Sequence, residues 1–175
     1  MPRPLIKMVS SIKVTDNSAQ LARGVAALTK TDVLVGIPQE KDYRDPDPAT
    51  GKPTAIGNAA LAYIHNFGSP TQNIPARPHL EPGILDAEPK FMPYLKAAAL
   101  EALKGSATGV ERNLHAVGQI AVSGVQNKMQ TGPFAPLDAS TLAARRRRGR
   151  TGTKPLIDTA QLLQHYSYVL RPSTR

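Results

Sequence analysis

The chain has 175 residues, with 22 Lys and Arg against 13 Asp and Glu, for a formal net charge of +9. It contains no cysteine, which excludes disulfides, thiolate metal sites and cysteine nucleophiles. No run of about 18 apolar residues occurs, so the sequence predicts no membrane-spanning helix, and the first residues lack the apolar core of a secretion signal. The length predicts one domain over residues 1–175 with a core of its own.

The first third of the chain predicts two strands separated by a short helix. Residues 5–14 are rich in β-branched side chains, which favours a strand, and a helix with Leu21, Val25 and Leu28 on one side follows. The apolar run DVLVGI at 32–37 predicts a buried strand.

A long exposed loop is predicted near residues 38–56, because this segment is rich in proline and aspartate. Asp42, Asp45 and Asp47 are spaced like the start of a calcium-binding loop. The glycine and glutamate that such a loop requires further along are missing, so no calcium site is predicted.

Residues 57–67 predict a helix in which Ala60, Ile64 and Phe67 share a face, ended by a glycine. The prolines of residues 69–82 predict an extended segment. We expect Arg77, set between prolines, to project from a stiff backbone toward a subunit or partner. The alternative is that this segment is only a rigid connector between helices.

The second half predicts mainly helix. Residues 86–104 predict a helix broken near Pro89 and Pro93, and residues 110–130 predict the clearest amphipathic helix of the chain. Asp138 or Ser140 is predicted to cap a short helix that carries arginines outward into an exposed loop near 144–155. A helix at 159–164 and a strand at 166–170 follow. Strands near both ends with helices between them predict an α+β fold, in which a small antiparallel or mixed sheet packs against three to four helices, with long loops.

The sequence predicts no catalytic or metal site and no cofactor. The four histidines lie apart from one another, and there is no nucleotide-binding glycine motif and no Gly-x-Ser-x-Gly. Structural or surface roles are therefore expected for the histidines, and no enzymatic activity is predicted.

Two thirds of the net charge comes from one stretch of ten residues that contains no acid. Its cations are Arg145, Arg146, Arg147, Arg148, Arg150 and Lys154. Three interpretations stay open: a solvated loop, a subunit or partner contact through arginine–carboxylate pairs, and sequence-independent contact with DNA phosphates. The low aromatic content, 5%, argues against a module that reads bases.

Three blocks together resemble the virion-morphogenesis group of tailed bacteriophages, whose members are neck, tail-completion or minor tail proteins. The blocks are DVLVGIP at 32–38, AALAYIHNFG at 59–68 leading into IPARPHL at 74–80, and PLIDTAQL at 155–162 after the arginine run. The resemblance spans about residues 32–170. The family usually has Glu at His65 or Asn66, Phe at His79 and Gly at Ala160.

This resemblance implies a structural virion protein without a reaction or cofactor. It would assemble in the host cytoplasm into a ring, with six subunits favoured over twelve. The ring would join the head connector or adaptor to the tail tube or terminator, and genomic DNA would pass through its lumen. The alternatives are a tail terminator, a minor tail protein or, from another class, a non-specific DNA-binding protein. Beyond the cations above, the predicted contact residues are Phe67, Ile74, Pro75, Arg77 and Pro78.

Overall fold

The computed structural model describes residues 16–46, 51, 53 and 56–174. In chain order its elements are α1 (Ser18–Thr29), β1 (Thr31–Gly36), α2 (Asn58–Phe67), α3 (Leu80–Leu103), α4 (Ala107–Thr131), α5 (Ala139–Arg147), α6 (Gln161–His165) and β2 (Ser167–Pro172). The predicted α+β class is confirmed, with six helices and a two-stranded antiparallel sheet among the described residues. The strand predicted over residues 5–14 lies outside them.

The centre of the fold is the antiparallel pair α3 and α4. The stripe predicted for α4 is confirmed, since five of its apolar side chains are at most 6% exposed: Val110, Leu114, Val117, Ala121 and Val125. The two helices approach closely where Gly83 of α3 meets Gly124 and Val125 of α4. A Cβ built on Gly83 would lie 2.6 Å from the Val125 Cα, so this crossing requires a residue without a side chain.

The predicted break in the third helix is wrong, because α3 runs without interruption through Pro89 and Pro93. Each proline removes one backbone hydrogen bond, but both lie on the exposed side of the helix, where water can satisfy the freed carbonyl oxygens. The buried face, which includes Ala87 and Ala98, packs against α4, and this packing stabilises the helix across both prolines.

The sheet covers one side of α4. Val33 pairs with Leu170 and Val35 pairs with Tyr168, and the Tyr168 ring packs over Gly118 of α4. Leu34, between the two valines, is 42% exposed. The prediction of a fully buried strand is therefore wrong, since only one face of β1 is covered.

The apolar sides predicted for α1 and α2 are only partly buried in the subunit, since Leu28 of α1 packs against the core and Ile64 of α2 is half-buried. Leu21 and Val25 of α1 are 40% and 39% exposed. In α2 the buried residues are Asn58 and Ala62, whereas Phe67 of the predicted apolar face is exposed. The predicted end of this helix is confirmed at Gly68, whose φ of 79° favours glycine.

Two predicted irregular segments contain one 3-10 turn each, Gln39–Lys41 and Pro70–Gln72. The predicted cap of α5 is confirmed, since the Asp138 carboxylate accepts a hydrogen bond from the Ser140 N–H at 2.8 Å. The predicted helix at 159–164 is shorter and lies at Gln161–His165, and the final strand is β2.

Candidate assembly surfaces

The segment that joins α2 to α3 is a clasp, residues 65–80, held by hydrogen bonds between its two ends. The Arg77 N–H donates to the His65 carbonyl at 2.7 Å. The Asn66 side-chain oxygen accepts from the N–H groups of His79 and Leu80 at 3.0 and 3.2 Å. Because Leu80 is the first residue of α3, Asn66 satisfies N–H groups that the helix itself leaves without partners. The clasp fixes the angle between the two helices.

Arg77 lies inside the clasp, and the expectation that its side chain projects outward is wrong. The side chain is 4% exposed, and its guanidinium donates to the carbonyl oxygens of Ala135 and Pro136 at 3.1 and 3.2 Å. Burial lowers the pKa of Arg77 from its ordinary value. The backbone between Pro75 and Pro78 is a rigid connector whose arginine binds the loop after α4. Both prolines are exposed.

A buried His79–Tyr166 pair ties the clasp to the start of β2. His79 Nδ1 lies 2.8 Å from the Arg77 carbonyl oxygen, and Nε2 lies 2.6 Å from the Tyr166 hydroxyl. A carbonyl only accepts, so Nδ1 carries the proton and Nε2 accepts from tyrosine. Burial lowers the pKa of His79 and raises the pKa of Tyr166, which keeps both groups neutral.

An exposed apolar stripe runs along α2. It comprises Ile56, just before the helix, and Ala60, Tyr63 and Phe67, at the spacing of one helix face. Tyr63 is 66% exposed and Phe67 64% exposed, and their ring centroids lie 4.8 Å apart. Phe67 is accessible for the contact predicted for it, and that contact stays a prediction.

The arginine run borders a cleft of about 550 Å³ between α2, α5 and the segment before α6. We call it the arginine cleft. Its cationic lining is Arg44, Arg145, Arg147 and Arg148, and its apolar lining is Leu61, Leu137, Ala144, Leu156 and Leu162. The cleft therefore combines positive charge with apolar surface.

The arginines of the run are not equivalent. Arg145 is 7% exposed, because it donates to the carbonyls of Gly152 and Lys154 at 2.9 and 3.0 Å and lies 3.4 Å from the Asp158 carboxylate. Arg150 also pairs with Asp158. The expectation that α5 carries all of its arginines outward is therefore wrong for Arg145, which orders the segment predicted as an exposed loop. The exposed cations are Arg146, Arg147, Arg148 and Lys154.

Two buried nitrogens beside the cleft have no hydrogen-bond partner among the described residues, Arg44 Nε and His65 Nδ1. Burial, followed by the nearby positive charges of Arg77, Arg44 and Arg145, lowers the pKa of His65 to about 4. The imidazole is thus neutral at physiological pH, and the local field favours an anion.

A second cleft of about 720 Å³ includes Ile74, Pro75 and Arg77 in its lining. His65, Leu137 and Thr141 line both clefts. The structure therefore brings the predicted contact segment 74–78 and the predicted arginine segment to neighbouring positions. Because about 70 residues separate the two segments along the chain, this proximity was not predicted.

The aspartates of the loop near 38–56 act as internal acceptors where the structure describes them. Asp42 accepts from the Ala59 N–H at the start of α2, and Asp45 from the Gln161 side chain, both at 2.6 Å. Asp47 lies outside the described residues. Within those residues, no group of three or more His, Cys, Asp or Glu is placed to hold a metal ion.

None of the described helices has the length and apolar character needed to cross a membrane.

Sequence reasoning missed Asn66, Asn58 and Asp158, which organise these surfaces. Asn58 is fully buried and donates to the Tyr43 carbonyl at 2.5 Å. The signals in the sequence that could have indicated them are the asparagines near the two ends of α2 and the aspartate shortly after the arginine run.

Comparison with protein-family models, curated proteins and solved structures gave no match.

Proposed function

We propose that this chain is a structural subunit of the tailed-phage head–tail junction that assembles with its own copies into a closed ring. The observation that carries the proposal is the α2 stripe, where Tyr63 and Phe67 expose paired aromatic rings to solvent. Aromatic side chains contribute strongly to protein interfaces when buried. The stripe thus supports association with another protein surface. The resemblance of the sequence blocks supports the virion setting, with tail terminator and minor tail protein as alternatives.

The clasp supports an architectural role in the ring. Its hydrogen bonds hold the exposed Pro75 and Pro78 beside the end of the α2 stripe, so these residues form a preorganised surface. A rigid surface loses little conformational entropy on docking. In the proposed ring, six subunits would be favoured, and the work of the protein is geometric: joining the head connector to the tail tube while DNA passes.

The test is self-association of the purified full chain, measured by light scattering and native mass spectrometry over a range of concentrations. We expect a closed oligomer that the double substitution Tyr63→Ser with Phe67→Ser dissociates. Leu103→Ser is the matched control, because Leu103 is also exposed, at 66%, but lies outside the stripe. A wild-type chain that stays monomeric at high concentration would contradict the proposal.

A second candidate function is sequence-independent binding of duplex DNA, favoured by the exposed Arg146, Arg147 and Arg148. Three phosphate contacts predict a slope of log affinity against log salt of about −3. Fluorescence anisotropy with labelled duplex DNA at several salt concentrations measures this slope. A neck subunit predicts weak binding at physiological salt, whereas a dedicated DNA-binding protein predicts tight binding by the free subunit.

A further inference from the structure

We propose that the arginine cleft binds the face of α3 formed by Glu81, Leu85 and Glu88 on a neighbouring copy of this chain. The inference rests on the ring proposed above and names the contact that would join successive subunits. A cleft on one subunit that takes a different face of the next gives a head-to-tail interface, the type that closes into cyclic rings.

The charge of the cleft favours carboxylates. The carboxylate that lines it, Asp158, is already paired with Arg145 and Arg150. Arg44 and Arg147, which also line it, make no ion pair within the described part of the chain. Arginine can bind a carboxylate through two parallel hydrogen bonds, so these two arginines suit a carboxylate from outside the subunit.

A buried donor in the lining lacks its acceptor. Arg44 Nε is buried and has no partner among the described residues, whereas Arg145, which also lines the cleft, donates from Nη1 to two carbonyls and places Nε beside a carboxylate. Buried donors in folded proteins nearly always have partners, so this unmatched N–H adds positive potential at the wall of the cleft and favours an anionic group nearby.

The apolar part of the lining favours a protein segment over DNA. Leu61, Leu137 and Leu156 border the same space as the arginines. A duplex presents phosphates along a convex surface and offers the cleft no aliphatic side chain, and the lining has no Phe, Tyr or Trp ring on which a base could stack. A segment with both carboxylates and an aliphatic side chain matches both kinds of surface.

The N-terminal half of α3 carries such a segment. Glu81, Leu85 and Glu88 are four and three residues apart, so they share one helix face. Leu85 is 57% exposed, and both glutamates are exposed and form no ion pair within the described residues. On this face Leu85 lies between two carboxylates, and in the arginine cleft leucine side chains lie between arginines, so the two surfaces are complementary.

A charge-exchange experiment on the full chain tests this pairing. We expect Arg147→Glu and Glu88→Arg each to raise the dissociation constant for self-association about tenfold, because each places like charges across the interface. The double variant restores an opposite pair and should return the constant to within about threefold of the wild type. Arg112→Glu, an exposed reversal on α4 outside the cleft, is the matched control and should change it little.

The outcomes separate this inference from the ring itself. If the wild type associates and both reversals leave its dissociation constant unchanged, the cleft is not the contact, while the ring stands. If the two single effects simply add in the double variant, the residues do not meet and the pairing is overturned. If Arg147→Glu abolishes duplex DNA binding but leaves self-association unchanged, the cleft is a phosphate-binding site and the proposed subunit contact is overturned as well. A monomeric wild type overturns both proposals.

Discussion

α4 and α2 are both amphipathic in sequence, yet they use their apolar residues in opposite ways. In α4, Val110 and Val125 are fully buried and form the centre of the subunit core. In α2, Tyr63 and Phe67 are about two-thirds exposed, while the polar Asn58 is fully buried. The apolar side of α4 faces its own chain, whereas α2 places only Ala62 and Leu61 at the core and leaves its aromatic residues facing outward.

An apolar stripe in a sequence therefore indicates a surface that needs to be covered, without indicating which element or molecule covers it. α4 is covered on several sides, by α3, α1 and both strands, which pack against it. The inward side of α2 instead binds loop and clasp backbone through Asn58, His65 and Asn66, so polar groups are needed there. Its outer aromatic residues, Tyr63 and Phe67, stay exposed, and the proposed ring would bury them.

The largest effect is expected from a charge placed in the α4 stripe. Val125→Asp would bury an unpaired carboxylate between α3 and the core, and should lower the free energy of unfolding by about 4 kcal/mol or more. Urea unfolding followed by circular dichroism measures this loss. A fully stable Val125→Asp variant would show that the α4 stripe is not the core described here.

The inward side of α2 should give the next largest effect, through pH. The pKa of His65 is about 4 in the folded state and 6.5 ordinarily, so the unfolded chain binds a proton more readily than the folded one. The free energy of unfolding is therefore highest above pH 6.5 and decreases as the pH falls toward 4. The loss has an upper bound of about 3 kcal/mol, and His79 acts in the same direction.

Thermal unfolding of wild type and His65→Gln between pH 4 and 7 isolates the His65 contribution. The variant should lose less stability over this window, because glutamine takes up no proton. Parallel curves for His65→Gln and wild type would contradict the assignment.

The clasp should show an intermediate effect. Arg77→Leu removes both donors to the Ala135 and Pro136 carbonyls and should cost about 2 kcal/mol in the free energy of unfolding. Arg146→Leu, at an exposed arginine, is the matched control and should cost much less. Equal effects in the two variants would mean that Arg77 does not hold the clasp.

A smaller effect is expected at the start of α5. Asp138→Ala removes the hydrogen bond to the Ser140 N–H and should cost about 1 kcal/mol. Asp138→Asn keeps an accepting oxygen and should retain most of the stability. Chemical denaturation of the three proteins in parallel distinguishes a capping role from a general effect of charge.

The smallest effect on subunit stability is expected on the outer side of α2. Phe67→Ser should change the free energy of unfolding by less than about 0.5 kcal/mol, since the ring is already 64% exposed. The measurement requires dilution to the monomer, because association adds to apparent stability. A large loss in the monomer would show that Phe67 belongs to the core and would remove the contrast with α4.

The elements that were predictable are those in which local pattern and tertiary packing agree. The α4 stripe, the DVLVGI strand and the Asp138 cap follow from spacing and side-chain chemistry, and the structure confirms each of them. The break at Pro89 and Pro93 was wrongly predicted because helix packing outweighs two lost hydrogen bonds on an exposed side.

The α+β class, the main helices and the concentration of positive charge in one segment could be read from the amino-acid sequence, because these depend on neighbours in the chain. The inward orientation of Arg77 and Arg145, the hydrogen bonds of Asn66 to the start of α3 and the adjoining clefts of two distant segments became visible in the folded chain alone. An arginine or asparagine side chain lies where backbone carbonyls and N–H groups need hydrogen-bond partners. Those groups become neighbours only when the chain has folded.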